Sequence, residues 1–330
     1  MLRSTLTYPA IGILWLLHFL PLQILAVLGH GVGYLLYLLG RQRRTVVRIN
    51  LEWCFPHLSE GERRQLAIAH FKTLGRSLLE RGLLWWSSKE RLDKLIRVEG
   101  SEKIRSLLDA GTPVMLLAPH FLALDAGGVG IAMRFDSVSI YAAQTNPVID
   151  KLLLRGRNRF GNQLLLSRQD GVRATVRAMK AGRPFYYLPD LNARRQGSIF
   201  VPFFGHQTAT ITGLSRLSRA AGAKVLSCVT RMLPDGQGYV VEIGDAWENY
   251  PTEDAEADIT HRDALTDAQI DVVARELNVK PEEVREMETR LSGGDILLDP
   301  APSDDGEQAF GPIAYLSDAG HEPTAMIESA

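Results

Sequence analysis

The chain has 330 residues, of which 45% are hydrophobic and 23% charged. That is ordinary globular composition, so disordered, collagen-like and disulfide-scaffold classes are excluded, and the length suits one large domain, or one domain plus an appendage. The formal net charge of −1 conceals a division: residues 1–250 carry 32 Lys and Arg against 18 Asp and Glu, a net of +14, whereas residues 251–330 carry 5 against 20, a net of −15.

Such a split marks two segments of different origin or duty. The basic part favours anionic partners, whether phosphorylated lipid, a membrane surface, an acidic protein or nucleic acid. Cys54 and Cys228 are the two cysteines, too few for a disulfide framework or a thiolate metal site.

Taken in chain order, the first feature is apolar. No Asp, Glu, Lys or Arg occurs from Thr5 to Gly40. Ala10–Gly29 alone would make a helix about 30 Å long, the thickness of the hydrocarbon core. Arg3 precedes it and Arg41, Arg43, Arg44 and Arg48 follow it. The positive-inside rule then leaves the bulk of the chain in the cytoplasm. The reading is a membrane anchor over residues 1–40, first as a single complete span. A buried core helix and an interfacial hairpin around Pro21 are the alternatives, and the small-residue cleavage site of a signal peptide is missing.

Ser59 with Glu62 forms a capping-box pattern that predicts an amphipathic helix through about Gly75. Ser101–Ala110 reads as a second helix closed by Gly111. Predicted strands follow at Val114–Ala118, Val138–Tyr141, Phe185–Leu188, Lys224–Val229 and Tyr239–Ile243. They alternate with predicted helices at Leu122–Met133, Pro147–Phe160, Gly171–Ala181 and Ile211–Ala221. This alternation implies an α/β domain with a mixed or largely parallel sheet flanked by helices.

The chemistry concentrates after the first strong strand. Val114–Ala118 runs through Pro119 into His120, with Asp125 five residues on. On a regular helix those two would lie about 140° apart, so they share no helical face. They can meet if His120 sits in the turn and Asp125 in the helix after it. His120 can then take a proton from an attacking hydroxyl while Asp125 fixes its tautomer. The spacing alone is weak, because His57 and Glu62 repeat it. Its place at the end of a buried strand is where α/β sheets put their sites.

Residues 1 to about 258 resemble the bacterial lipid A biosynthesis acyltransferases of the late, lauroyl type. The resemblance rests on the apolar N-terminus, Asn50-Leu-Glu-Trp-Cys-Phe-Pro56, Ala118-Pro-His-Phe-Leu-Ala-Leu-Asp125, Gly156-Arg-Asn-Arg159, Leu188-Pro-Asp190 and Phe200-Val-Pro-Phe-Phe-Gly205. It continues through Ala209-Thr, the Leu214–Ala223 helix and Asp235-Gly-Gln-Gly-Tyr239. It implies a membrane-anchored acyltransferase at the cytoplasmic face of the bacterial inner membrane. The implied reaction moves a fatty acyl chain from acyl carrier protein to a hydroxyl of a lipid A precursor, without metal or cofactor.

By the same resemblance His120 is the catalytic base and Asp125 its partner. Arg157 and Arg159 would stabilise an oxyanion or grip a phosphate, against the plainer reading of a solvated basic face. Asp190 matches the family's Pro-Asp element and would bind substrate, against the plainer reading of a turn residue. Another glycolipid or a lysophospholipid stays open as the acceptor.

Two departures stand out. Asn192 occupies a position where the family commonly has a second acidic residue. After Asp258 the family's closing helix and its tryptophan-, histidine- and arginine-rich ending are absent. Residues 259–330 instead form an acidic segment, with predicted helices at Leu265–Leu277 and Glu282–Leu291 and predicted disorder at Ser303–Gln308. Its words Ala274-Arg-Glu-Leu, Val284-Arg-Glu-Met-Glu and Ala314-Tyr-Leu resemble the middle region of a heat-shock sigma factor. With only five basic residues there, nucleic-acid binding is not expected. An inactive hybrid with a transcription-factor fragment is the alternative from another class.

Overall fold

The computed structural model describes residues 7–167, 170–190, 198–252 and 258. Asn192 and the acidic segment, with its sigma-like words, its two predicted helices and Ser303–Gln308, lie outside them.

The N-terminus departs from the expectation of one span over Ala10–Gly29. Helix α1 covers Thr7–Leu17, and α2 covers Leu22–Leu39 after a break at Pro21. Pro21 sits at the N-cap of α2 with φ −56°. Proline lacks an N–H and its ring clashes with the carbonyl four residues back, so the chain turns there and restarts. Among the described residues, α2 is the one helix long and apolar enough to cross a membrane by length and composition.

Gly40 then leads into α3, Arg41–Cys54, and α4 follows over Glu60–Trp86. The Ser59–Glu62 capping box is formed as expected. The helix does not stop near Gly75, however. Gly75 serves as a crossing point with α2: a Cβ added there would lie 2.1 Å from the Gly29 carbonyl oxygen, and one on Gly33 would lie 2.1 Å from that of Phe71. Glycine is used for close backbone approach, and Gly29, Gly33 and Gly75 let the two helices touch nearly backbone to backbone.

After the short helix α5, Lys89–Leu95, come β1 (Ile96–Glu99), α6 (Ser101–Asp109), β2 (Val114–Leu117), α7 (Leu124–Ala132), β3 (Val138–Tyr141), α8 (Pro147–Arg157) and β4 (Leu164–Ser167). They are followed by α9 (Gly171–Lys180), β5 (Phe185–Tyr187), the pair β6 (Ser198–Phe203) and β7 (His206–Ile211), α10 (Gly213–Ala221), β8 (Lys224–Met232) and β9 (Tyr239–Ala246).

Seven strands form a mixed sheet in the order β1-β9-β8-β2-β5-β3-β4. Every pairing is parallel except β8 with β9. The five predicted strands and the helices between them all form. Two short strands, β1 and β4, and the antiparallel β6–β7 hairpin add to them. Proline is disfavoured inside a strand, but among the described residues β6 pairs only with β7, and Pro202 is tolerated there as in an edge strand.

The central strand β2 reads Val-Met-Leu-Leu without alternation because helices cover both faces of the sheet. Val114, Met115 and Leu116 are fully buried, each worth about 1.5–3 kcal/mol of transfer free energy. Leu22 and Leu25 of α2 join the same core as Leu116, Leu226 and Tyr239. The first turn of the apolar helix is therefore part of the domain's interior.

Candidate active site

The register of the sheet builds the site. Leu117 pairs with Tyr187 in the parallel β2–β5 ladder, and the Ala118 N–H donates to the Tyr187 carbonyl at 2.8 Å. Three residues beyond Leu117 comes His120, and three beyond Tyr187 comes Asp190. Both strands thus deliver one functional residue to the same place at their C-terminal ends. The His120 backbone N–H donates to Asp190 Oδ2 at 2.7 Å, and His120 Nδ1 lies 2.5 Å from Asp190 Oδ1.

The contact that the sequence assigned to Asp125 is therefore made by Asp190. Asp125 stands in the first turn of α7, where its oxygens meet two arginines. Arg81 donates from Nη2 to Oδ2 at 2.8 Å, and Arg157 reaches Oδ1 at 3.4 Å. The reason is geometric. Between His120 and α7 the chain makes a tight turn, with Phe121 N–H bonded to the Pro119 carbonyl and Leu124 N–H to that of Phe121. This turn starts the helix with Asp125 facing α4 and the end of α8.

Arg157 ends α8 and joins the cluster through Asp125. Arg159 does not: it donates to the carbonyls of Leu84 and Ser87 at the end of α4, and its guanidinium lies 4.9 Å over the Phe160 ring. Burial, then the neighbouring Arg155, lowers its pKa from the ordinary arginine value. It closes a helix C-terminus, where a cation satisfies orphan carbonyls. Arg81 carries no signal in the sequence. It lies inside an amphipathic helix 44 residues from Asp125, and no local spacing announces such a pair.

The site is open. The side chains of His120 and Asp190 are 31% and 40% exposed, and the adjacent Phe121 presents a 44% exposed aromatic ring. With Nδ1 facing a carboxylate, the imidazole keeps its proton there and presents Nε2 as an acceptor. The arrangement can activate a hydroxyl, with two arginine cations held on the same side of α7 by Asp125. Among the described residues, no three His, Cys, Asp or Glu side chains converge as a metal-binding group would require.

A family model described as bacterial lipid A biosynthesis acyltransferase matches residues 1–284. The chain belongs to this family. The match runs past Asp258 and overlaps the first part of the acidic segment. The acyltransferase is 36% identical over 255 residues to the lipid A biosynthesis lauroyltransferase of Escherichia coli (strain K12), covering 77% of this chain and 83% of that protein. It is 32% identical over 256 residues to the lipid A biosynthesis palmitoleoyltransferase of the same strain, with the same coverage. A lipid A biosynthesis acyltransferase of Haemophilus influenzae is 33% identical over 228 residues, 68% of this chain and 72% of that protein. Acyl transfer is thus the activity of this enzyme.

Proposed function

We propose that the acyltransferase moves a fatty acyl group from acyl carrier protein to a hydroxyl of a lipid A precursor, at the cytoplasmic face of the bacterial inner membrane, with His120 as the base. The observation that carries this reading is the His120–Asp190 pair at the open C-terminal ends of β2 and β5. The family membership supplies the acceptor class, and the surplus of 14 positive charges before residue 251 suits an acidic carrier and a phosphorylated lipid.

In this scheme His120 Nε2 accepts the hydroxyl proton as the oxygen attacks the thioester carbonyl. Asp190 holds the imidazole in the Nδ1–H tautomer and stabilises the imidazolium that forms. The tetrahedral intermediate collapses, the carbon–sulfur bond breaks, and the proton passes from Nε2 to the departing thiolate. Arg81 and Arg157, kept in place by Asp125, supply the positive charge that a developing oxyanion or a substrate phosphate requires.

We read residues 259–330 as an acidic appendage, a reading supported by the reversal of charge near residue 250; the family match continues into its first part, to residue 284.

The test is direct. Membranes containing the full chain are incubated with acyl-acyl-carrier-protein and a tetra-acylated lipid A precursor, and the product is weighed by mass spectrometry. An added acyl mass that disappears in His120→Ala is expected. Turnover retained by His120→Ala would overturn the base assignment; in a parallel reaction offered a lysophospholipid instead, transfer there and none to the lipid A precursor would overturn the acceptor.

A further inference from the structure

The apolar helix α2 is held along one side by the domain from end to end. At its start, Leu22 and Leu25 are buried in the core of the seven-stranded sheet. The turn Pro234–Gly236 reaches the same end, and a Cβ on Gly236 would lie 2.7 Å from the Gln23 Cα. Midway, Gly29 and Gly33 press on Arg76 and Phe71 of α4. At its finish, Tyr37 packs with Ala67 and Phe71, and Arg44 of α3 donates to the Tyr37 carbonyl at 2.6 Å. The other side is exposed and apolar, with Ile24, Val27, Leu28, Leu35, Leu38 and Leu39 all more than 40% exposed.

A spanning helix needs its two ends on opposite faces of the bilayer. Here both ends are fastened to one water-facing body. Turning α2 across the bilayer would carry α4 with it, including the exposed Arg64 and Lys72 that flank the crossing, and cations are costly in hydrocarbon. It would also carry the exposed Asp235 of the Pro234–Gly236 turn to the far side. A helix with one apolar face and one face bound to a charged body lies in the plane of the interface.

The charges beside α2 identify the kind of surface. A cleft of about 370 Å³ opens where α2, α3 and α4 meet, lined by Tyr37, by Arg44, Arg48, Arg63 and Arg64, and by Glu52 and Glu60; Arg48 donates to Glu52 at 3.1 Å, which leaves the arginines in excess over the carboxylates. Arg48 and Arg64 are exposed there, as are Arg41 and Arg43 nearby on α3. Basic side chains at the edge of an apolar face complement anionic headgroups.

We propose that the chain is held by one leaflet only: α2 lies flat on an anionic lipid surface, its outer face among the acyl chains and Arg48 and Arg64 at headgroup level. This rests on the membrane location proposed above and replaces the span with a one-sided anchor. It also ties the lipid surface to the site. Thr7 at the start of α1 accepts a hydrogen bond from Asn146 at 2.9 Å; Asn146 caps α8, the helix that ends in Arg157.

Ile24, Gly31 and Leu38 are spaced by seven residues and share one face to within about 40°. All three are exposed, and nothing lies within 4 Å of a Cβ added to Gly31. Each is replaced in turn by Cys in the full chain carrying Cys54→Ser, spin-labelled, and reconstituted into phosphatidylglycerol–phosphatidylcholine vesicles. The remaining Cys228 is buried. Accessibility to oxygen and to a water-soluble nickel chelate then gives each label's depth. Similar depths at all three are expected.

A gradient with the Gly31 label roughly 10 Å deeper than both ends, as the helical rise requires of a span, overturns the flat orientation while keeping the membrane location. Full nickel access at all three overturns the membrane location itself. In a flotation assay, Arg48→Gln and Arg64→Gln should each weaken binding to the anionic vesicles about fivefold. Unchanged binding would overturn the headgroup role.

Discussion

Replacing Asp190 with Asn changes one atom on the partner of His120. In the structure Oδ2 accepts the His120 backbone N–H at 2.7 Å and Oδ1 faces Nδ1 at 2.5 Å. The backbone N–H can only donate, so the Asn oxygen must take that position and the Asn NH₂ must face Nδ1. Nδ1 then has to be the unprotonated nitrogen, and the proton moves to Nε2, where the base is needed. General-base catalysis contributes roughly 10²–10⁴ in rate, about 3–5 kcal/mol of transition-state stabilisation.

The expected result for Asp190→Asn is therefore a fall in kcat of that size with KM within a few-fold, because the backbone bond survives. Asp125→Asn leaves the imidazole untouched. It weakens two partly exposed ion pairs, so its kcat should fall by less than about tenfold. Initial rates with acyl-acyl-carrier-protein and the lipid A precursor, read by mass, separate the two. If Asp190→Asn keeps kcat within threefold of the parent while Asp125→Asn loses the larger factor, the partner of His120 is Asp125 and this reasoning fails.

Two further predictions concern stability. Arg76 and Glu80 form a pair whose side chains are 5% and 1% exposed, with Arg76 Nε at 2.8 Å and the Tyr239 hydroxyl also donating to Glu80. Glu80→Ala leaves a buried guanidinium unbalanced and should cost about 3–5 kcal/mol; a loss below about 1 kcal/mol in denaturant unfolding would contradict the pairing. Burial pushes the Cys228 thiol up from 9.0 to about 12. The unfolded chain then ionises first, and stability should fall as pH rises above about 9, by up to roughly 1.4 kcal/mol per pH unit. Cys228→Ala should remove that part of the slope; an unchanged pH profile of thermal unfolding would show that the thiol contributes nothing.

Much of this fold is local and can be read from the chain. The unbroken apolar run Val114–Leu117 announces a strand covered on both faces, and Ser59 with Glu62 announces a helix start that the structure reproduces. His120 follows from its position beyond that strand. The charge reversal near residue 250 is a property of the sequence itself. The same motifs carried the family resemblance, because spacing along the chain is what such motifs conserve.

What tertiary structure decided is which distant groups meet. Asp190 lies on His120 because Leu117 and Tyr187 are register partners across 70 residues, and nothing within either strand specifies that pairing. Arg81 reaches Asp125 only once α4 is laid against α7 and α8. Gly75 has the look of a helix stop, yet it lies mid-helix because α2 approaches too closely for a side chain. The apolar N-terminus shows the same division: its composition fixes affinity for an apolar environment, but packing on α4 and the sheet determines which face is left to seek it. Composition and period set what each segment prefers by itself, whereas register and helix crossing depend on the surface of a partner far away in the chain.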